Sequence, residues 1–187
     1  MSVSRRQFLK GSGVGLLTFY VSGCQVSLTP EQAKQQQADF LTLTGPQVST
    51  LEALGNVLVP GAASKGLAHF LDQQLSARGQ DQLLMIRYLG VPQPFDGFYT
   101  AGLAAVESVS RAAHGKNFAE LKSDQKTDLV MQMAQTNPEG WQGPPAPFFY
   151  FVVRSDAVDV VYGTTMGFDE LDVPYMPHIE PPTGWRL

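Results

Sequence analysis

Residues 148–162 read Phe148-Phe149-Tyr150-Phe151-Val152-Val153-Arg154-Ser155-Asp156-Ala157-Val158-Asp159-Val160-Val161-Tyr162. The six apolar residues that open this run fit a buried strand as well as a buried helix. Two arguments favour helix. The segment continues for about 15 residues without a turn signal, too long for an ordinary strand. Nothing else in the chain reads as a strong strand, so a lone strand here would have no partner. With this segment helical, the chain is all-α.

Working back from it, the apolar spacing predicts further helices. Residues 46–58 place Leu51, Leu54, Val57 and Leu58 on one side, and Pro60-Gly61 stops them. Residues 66–77 do the same with Leu67, Phe70, Leu71 and Leu75, and residues 80–89 form a third helix ending at Gly90-Val91-Pro92. Residues 95–114 are the longest, with a stripe of Phe98, Leu103, Val106 and Val109 beside Ala101, Ala104, Ala105, Ala112 and Ala113. Such small residues let another helix come close. Gly115 suits a C-terminal cap, and Phe118 and Leu121 pack a short connection onto the core. Ser123 reads as the N-cap of a helix over 124–135 that buries Leu129, Val130 and Met133. The expected architecture is a compact bundle of about five to six helices with a Pro-rich irregular C-terminal tail.

The 187 residues suffice for one domain. Three of the 13 basic residues (Arg5, Arg6, Lys10) fall in the first ten positions, where no acid occurs. The remainder carries ten basic against 17 acidic residues. An acidic domain behind a basic leader has no footprint for nucleic acid. Residues 4–10, Ser4-Arg5-Arg6-Gln7-Phe8-Leu9-Lys10, resemble the twin-arginine export signal at every defined position. The weakly apolar run 11–22 is too short to span a bilayer permanently and has the length of a signal-peptide apolar region. It ends Val21-Ser22-Gly23-Cys24, which resembles a lipobox. Small residues precede the cut, and the cysteine thiol is the lipid attachment point. Cys24 is the only cysteine in the chain. Ordinary cleavage near Ser22 or Gly23, leaving a free thiol, is the competing reading. Residues 1–23 are thus expected to be the export signal, 24–44 a lipid-anchored flexible tether rich in glutamine, and 45–187 the domain.

The domain offers little chemistry of its own. Without cysteines it can hold no covalent haem, iron–sulfur cluster or disulfide. His69, His114 and His178 lack the spacing that puts two metal ligands on one helix face, and each reads as a surface or capping residue. Gly11, Gly13 and Gly15 miss the dinucleotide fingerprint, and no Gly-x-Ser-x-Gly elbow occurs. Asp156 and Asp159 share a helix face, as solvated acidic pairs commonly do.

From Gly163 onward regular structure is not expected, because Pro174, Pro177, Pro181 and Pro182 remove backbone donors. The tail nevertheless holds Met166, Phe168, Leu171, Tyr175, Met176, Ile179 and Trp185. So apolar a tail is expected to dock, on its own domain, on a partner, or on both.

The order of several stretches resembles the gluconate 2-dehydrogenase subunit 3 family. They are residues 51–61 (Leu-Glu-Ala-Leu-Gly-Asn-Val-Leu-Val-Pro-Gly) with 66–72 (Gly-Leu-Ala-His-Phe-Leu-Asp), then 99–107 with 114–121. The aromatic run at 148–151, Tyr162-Gly163 and Gly184-Trp185 complete the likeness. Many members carry Tyr-Gly-Gly-Asn where this chain has Tyr162-Gly163-Thr164-Thr165, which suggests a distinct subgroup. The resemblance implies a non-catalytic small subunit with no cofactor of its own. Its partner would be a large FAD-dependent dehydrogenase subunit of the glucose–methanol–choline type, carried folded through the twin-arginine translocase. A c-type cytochrome often completes such complexes. The location implied is the periplasmic side of the envelope, with the lipid on Cys24 in the membrane.

Candidate partner contacts are Tyr150, Tyr162, Tyr175, Met176 and Trp185; Phe148 and Phe149 are expected to pack in the core. Two other readings compete with the accessory subunit. One is a stand-alone lipoprotein that binds a small ligand or scaffolds the envelope. The other is an enzyme, such as a hydrolase using Asp156, Asp159 or His178, which would need a cleft with perturbed carboxylates.

Overall fold

The computed structural model describes residues 16–77 and 82–172. The helices are α1 (Pro30–Gln35), α2 (Gly45–Leu58), α3 (Leu67–Ser76), α4 (Asp96–His114), α5 (Ser123–Gln135), α6 (Ala146–Tyr162) and α7 (Thr165–Glu170). Short 3-10 turns occupy Met85–Leu89 and Phe118–Glu120, and a two-stranded hairpin, β1 (Leu17–Val21) and β2 (Cys24–Leu28), opens the described chain. The fold is predominantly helical, as expected.

α6 is the long segment at 148–162, extended by two residues at its start. Its first free amide, on Ala146, donates to Asn137 Oδ1 at 2.7 Å. One face of α6, including Phe149, Val152, Val153, Ala157, Val160 and Val161, lies in the core with Leu51, Leu54, Leu67, Leu71 and Leu103. Phe98, Tyr99, Phe148, Phe149 and Trp141 form an aromatic group with centroid separations of 5.3–6.2 Å. Phe118 and Leu121 are buried as expected, and Gly115 closes α4 in a left-handed conformation.

The small-residue side of α4 works somewhat differently from the sequence reading. The tightest approach is at Gly102, where a Cβ would lie 2.2 Å from Phe149 Cε2. Among the alanines, Ala105 meets Gly143 in the loop before α6.

Four local expectations change. The region 80–89 is not a helix along its described part: only Met85–Leu89 turn, as a 3-10 segment. Leu84 and Ile86 are both buried, a spacing of two that a single helix face does not supply. The post-163 region contains α7, because Thr164 accepts the Gly167 amide at 2.9 Å and starts a turn. Ser123 lies inside α5, and the preceding Lys122 amide is satisfied by Gln125 Oε1 at 3.1 Å.

The fourth change is the largest. Residues 24–44 are ordered against the domain rather than a free tether. α1 carries a reciprocal cap, with Gln32 N donating to Thr29 Oγ1 and Thr29 N to Gln32 Oε1. Its start rests on Gly66, whose φ is +84° and whose added Cβ would fall 2.2 Å from the Pro30 carbonyl oxygen. Lys34 pairs with Glu52, and Lys65 with Glu31 at 3.7 Å. The segment 41–43 is gripped by Asp72, which accepts the amides of Leu41, Thr42 and Leu43 at 2.7–2.8 Å. Polarity alone suggested a tether; capping and a buried carboxylate hold these polar residues in place.

Candidate interaction surface and buried polar groups

α6 is apolar almost all round, which suits a helix buried on every side. Yet one side is only partly covered: Phe151 is exposed, and Phe148, Ser155, Val158 and Tyr162, at three- and four-residue spacing along the same stripe, are half-buried, with Phe148, Val158 and Tyr162 packed on the edge of the core. Phe151 is 47% exposed, and Leu171, just past the end of the α7 helix that packs on α6, is 52% exposed. A second exposed group follows α3: Leu83, Leu89 and Tyr88, with the Arg87 guanidinium 5.5 Å from the Tyr88 ring centre. Exposed aromatic and branched side chains with an arginine are the composition of protein interfaces.

The sequence-predicted contact residues divide accordingly. Tyr150 and Tyr162 are half-buried, packed against the core on one edge. Phe149 is fully buried and Phe148 partly so. Cys24 is exposed at the first position of β2. Tyr175, Met176, Trp185, His178 and the prolines of the tail lie outside the described residues, as do Arg5, Arg6, Phe8, Leu9 and Lys10. Sequence reasoning missed Phe151, Tyr88 and Leu171 as surface residues. The stripe at 148, 151, 155, 158 and 162 was visible as helical spacing, but not which face the core would take.

The titratable groups singled out earlier serve the interior. Asp156 is wholly buried, with Oδ1 accepting the Met85 amide at 2.8 Å and Oδ2 the Tyr99 hydroxyl at 2.6 Å. It ties the 3-10 turn and α4 to α6. Burial raises its pKa to about 7, and burial beside that carboxylate raises the Tyr99 hydroxyl well above its usual range. Both oxygens of Asp156 are occupied and no solvent reaches it, so it does not pair with Asp159 as an accessible acid. His69 is not a surface residue: it is 5% exposed, its ring lies 4.4 Å from that of Phe40 at a tilt of 42°, and neither ring nitrogen makes a well-formed hydrogen bond. Burial, reinforced by Lys34, lowers its pKa. His114 is exposed in the last turn of α4, 3.3 Å from the Gln125 amide nitrogen.

These shifts oppose one another in pH. From about pH 4 to 7 the folded chain holds a proton on Asp156 that the unfolded chain lacks. Stability from that group therefore falls as pH rises through the window. His69 acts in reverse: the folded imidazole stays neutral where the unfolded one protonates, so its effect costs stability as pH falls through the histidine range. Asp156→Asn is expected to flatten the alkaline loss, reducing the pH 5 to pH 8 difference in unfolding free energy by more than about 1 kcal/mol. Urea midpoints at the two pH values measure it; an unchanged difference would refute the assignment.

A depression of about 380 Å³ lies between α2, α4 and the 118–120 turn, lined by Ser49, Thr50, Glu107, Arg111, Asn117 and Glu120. Glu107 Oε1 there accepts from Thr50 Oγ1 at 2.7 Å and Phe118 N at 3.0 Å, while Arg111 Nε sits 3.6 Å from Oε2. Glu107 thus joins three elements and is structural. Among the described residues no three acidic, histidine or cysteine side chains cluster as a metal site would need. No helix among them is long and apolar enough to cross a membrane.

A helical domain whose carboxylates Asp72, Glu107 and Asp156 tie its own elements together, with some apolar side chains outside, fits the stretches at 51–72, 99–121 and 148–163. Residues 45–180 match the family described as gluconate 2-dehydrogenase subunit 3. The chain belongs to that family. Its match begins at the first residue of α2, so the hairpin, α1 and the segment gripped by Asp72 precede the matched region. No curated protein and no solved structure gives a significant match. Membership in the gluconate 2-dehydrogenase subunit 3 family makes this chain an accessory subunit of a dehydrogenase complex.

Proposed function

We propose that the chain is the non-catalytic small subunit of a flavin-dependent sugar, alcohol or acid dehydrogenase on the periplasmic side of the envelope. It escorts the folded large subunit through twin-arginine export and then stabilises and anchors it through a lipid on Cys24. FAD resides in the large subunit, and a c-type cytochrome is a further candidate partner. The observation that carries this reading is the half-covered apolar stripe of α6, on which Phe151 is exposed, together with the exposed Leu171 after α7, in a chain of this family. A domain with an obligate partner leaves such a face for it. The leader supports the route: Arg5 and Arg6 in the export motif suit cargo that crosses the membrane folded. Binding only the folded large subunit would also stabilise it by linkage.

The test is recovery of the complex from native membranes through a C-terminal tag. A yellow eluate containing a larger flavoprotein, lost when Arg5 and Arg6 become lysine, is the expected result. A colourless, monodisperse single chain would overturn the proposal and favour a stand-alone lipoprotein. Phe151→Asp with Leu171→Asp should reduce recovery of the flavoprotein at least tenfold while helical circular dichroism is kept, since both side chains are exposed. Undiminished recovery would remove α6 from the interface.

A further inference from the structure

The described part of the run read as the apolar part of the export signal, residues 16–22, is built into the fold. β1 pairs antiparallel with β2 from Leu17 opposite Leu28 to Val21 opposite Cys24. The two strands are joined by Ser22 and Gly23, with φ of +50° and +79°. Positive φ at both central residues is the tight turn that matches strand twist. Phe19 is only 4% exposed and sits with Leu28, Ala33 and Ala38 in a small cluster of its own. Leu17 packs against both this cluster and the main core. The Asp39 amide donates to the Tyr20 carbonyl at 2.8 Å, and Gln25 Nε2 donates to the Tyr20 hydroxyl at 2.6 Å. Thr18 and Ser27 take the solvent side. Residues on the two sides of the expected cut therefore complement each other in register, in burial and in turn chemistry.

We propose that the folded domain itself holds the apolar strand of the leader as a latch, and that the Gly23–Cys24 bond is cut only after the hairpin opens. This rests on the lipidation reading of Cys24. Cutting is hydrolysis: water adds its hydroxyl to the Gly23 carbonyl carbon, and the released Cys24 nitrogen takes the proton. A peptidase needs the chain extended through its cleft. Two consecutive residues at positive φ in a closed turn do not provide that, so cleavage draws on the opened form. The latch also covers Phe19, and partly covers Leu17 and Val21, in the uncut chain, so these three are not free to aggregate or to enter the bilayer early. Cutting then removes β1 and leaves β2 without its partner.

The receiving side can be changed without touching residues 1–24. Leu28→Asp with Ala33→Asp should abolish hydrogen-exchange protection over 17–28 in the purified uncut full-length chain. In cells it should speed appearance of the lipidated form several-fold in a pulse-chase, read by N-terminal mass. A second variant guards against misfolding. Thr18→Cys with Ser27→Cys joins an exposed cross-strand pair, and it should hold the chain uncut until reductant is added. Wild-type strands without protection, or equal cutting rates in the wild type and both variants, would overturn the latch and leave lipidation standing. If no chain ever acquires an acylated Cys24 terminus, the latch and the lipidation reading fall together.

Discussion

Asp72→Ala is expected to destabilise the fold by about 3–5 kcal/mol. Its carboxylate is 3% exposed and receives three successive amides, from Leu41, Thr42 and Leu43. Each hydrogen bond to a charged acceptor contributes about 1.5–3 kcal/mol, and removing the acceptor leaves three amide donors without it, the Leu43 one buried and the other two partly so. Asp72→Asn is not a mild substitution either. Thr42 and Leu43 share Oδ1 while Leu41 uses Oδ2, so the new amide nitrogen would face either one donor or two. The loss should be localised as well as large. Hydrogen exchange at 41–43 should rise first, followed by loss of α1, because that segment carries α1 to the start of α2. A urea midpoint within error of the wild type would show that the three amides find other acceptors.

Gly102→Val should cost at least about 3 kcal/mol, and Gly102→Ala somewhat less. The reason is where α4 and α6 cross: the Phe149 ring lies against the Cα of Gly102, with Cε2, Cδ2 and Cζ all within 2.2–2.6 Å of an added Cβ. Phe149 is fully buried, so its ring cannot swing outward. Phe149→Leu alone should cost about 1–2 kcal/mol from lost packing. In the double variant Gly102→Ala/Phe149→Leu the two losses should fall well short of additive, since the smaller side chain relieves the clash. Thermal melts of the four proteins read this directly. Strict additivity would mean that the contact is not the source of the cost.

Most of the helical frame follows from one-dimensional pattern. The apolar spacing of Leu51, Leu54 and Leu58, and of Phe98, Leu103 and Val106, needs no tertiary information, and the breaks at Pro60-Gly61 and Gly115 are local. What escaped pattern depends on pairs far apart in sequence. Asp72 reads as an ordinary helix-surface acid until residues 41–43 arrive over it. Asp156 reads as half of an acidic pair until Tyr99 and Met85 close on it. His69 lies in an apolar stretch whose covering residue, Phe40, belongs to a segment that polarity marks as free. The hairpin was legible in principle: Leu17, Phe19 and Val21 alternate, Val26 and Leu28 answer them, and Ser22-Gly23 is a turn dipeptide. The export motif directly before it marks the same residues as a disposable leader. For the interaction surface, spacing identified a helix with too many apolar residues, but which of them the core leaves only partly covered depends on how α5, α7 and the core divide its circumference.

Under the proposed lipidation of Cys24, the capped start of α1 also sets how far the domain can stand from a membrane. Were the whole span from 24 to 44 loose, a lipid on Cys24 would let the body wander some 70 Å from the bilayer. With Pro30 seated on Gly66 and Lys34 joined to Glu52, only the stretch from Cys24 to Thr29 remains to pay out, about 20 Å at full extension. A lipidated chain would then keep the start of α1 within about 20 Å of the lipid headgroups. The large subunit would have to dock from the side or from above.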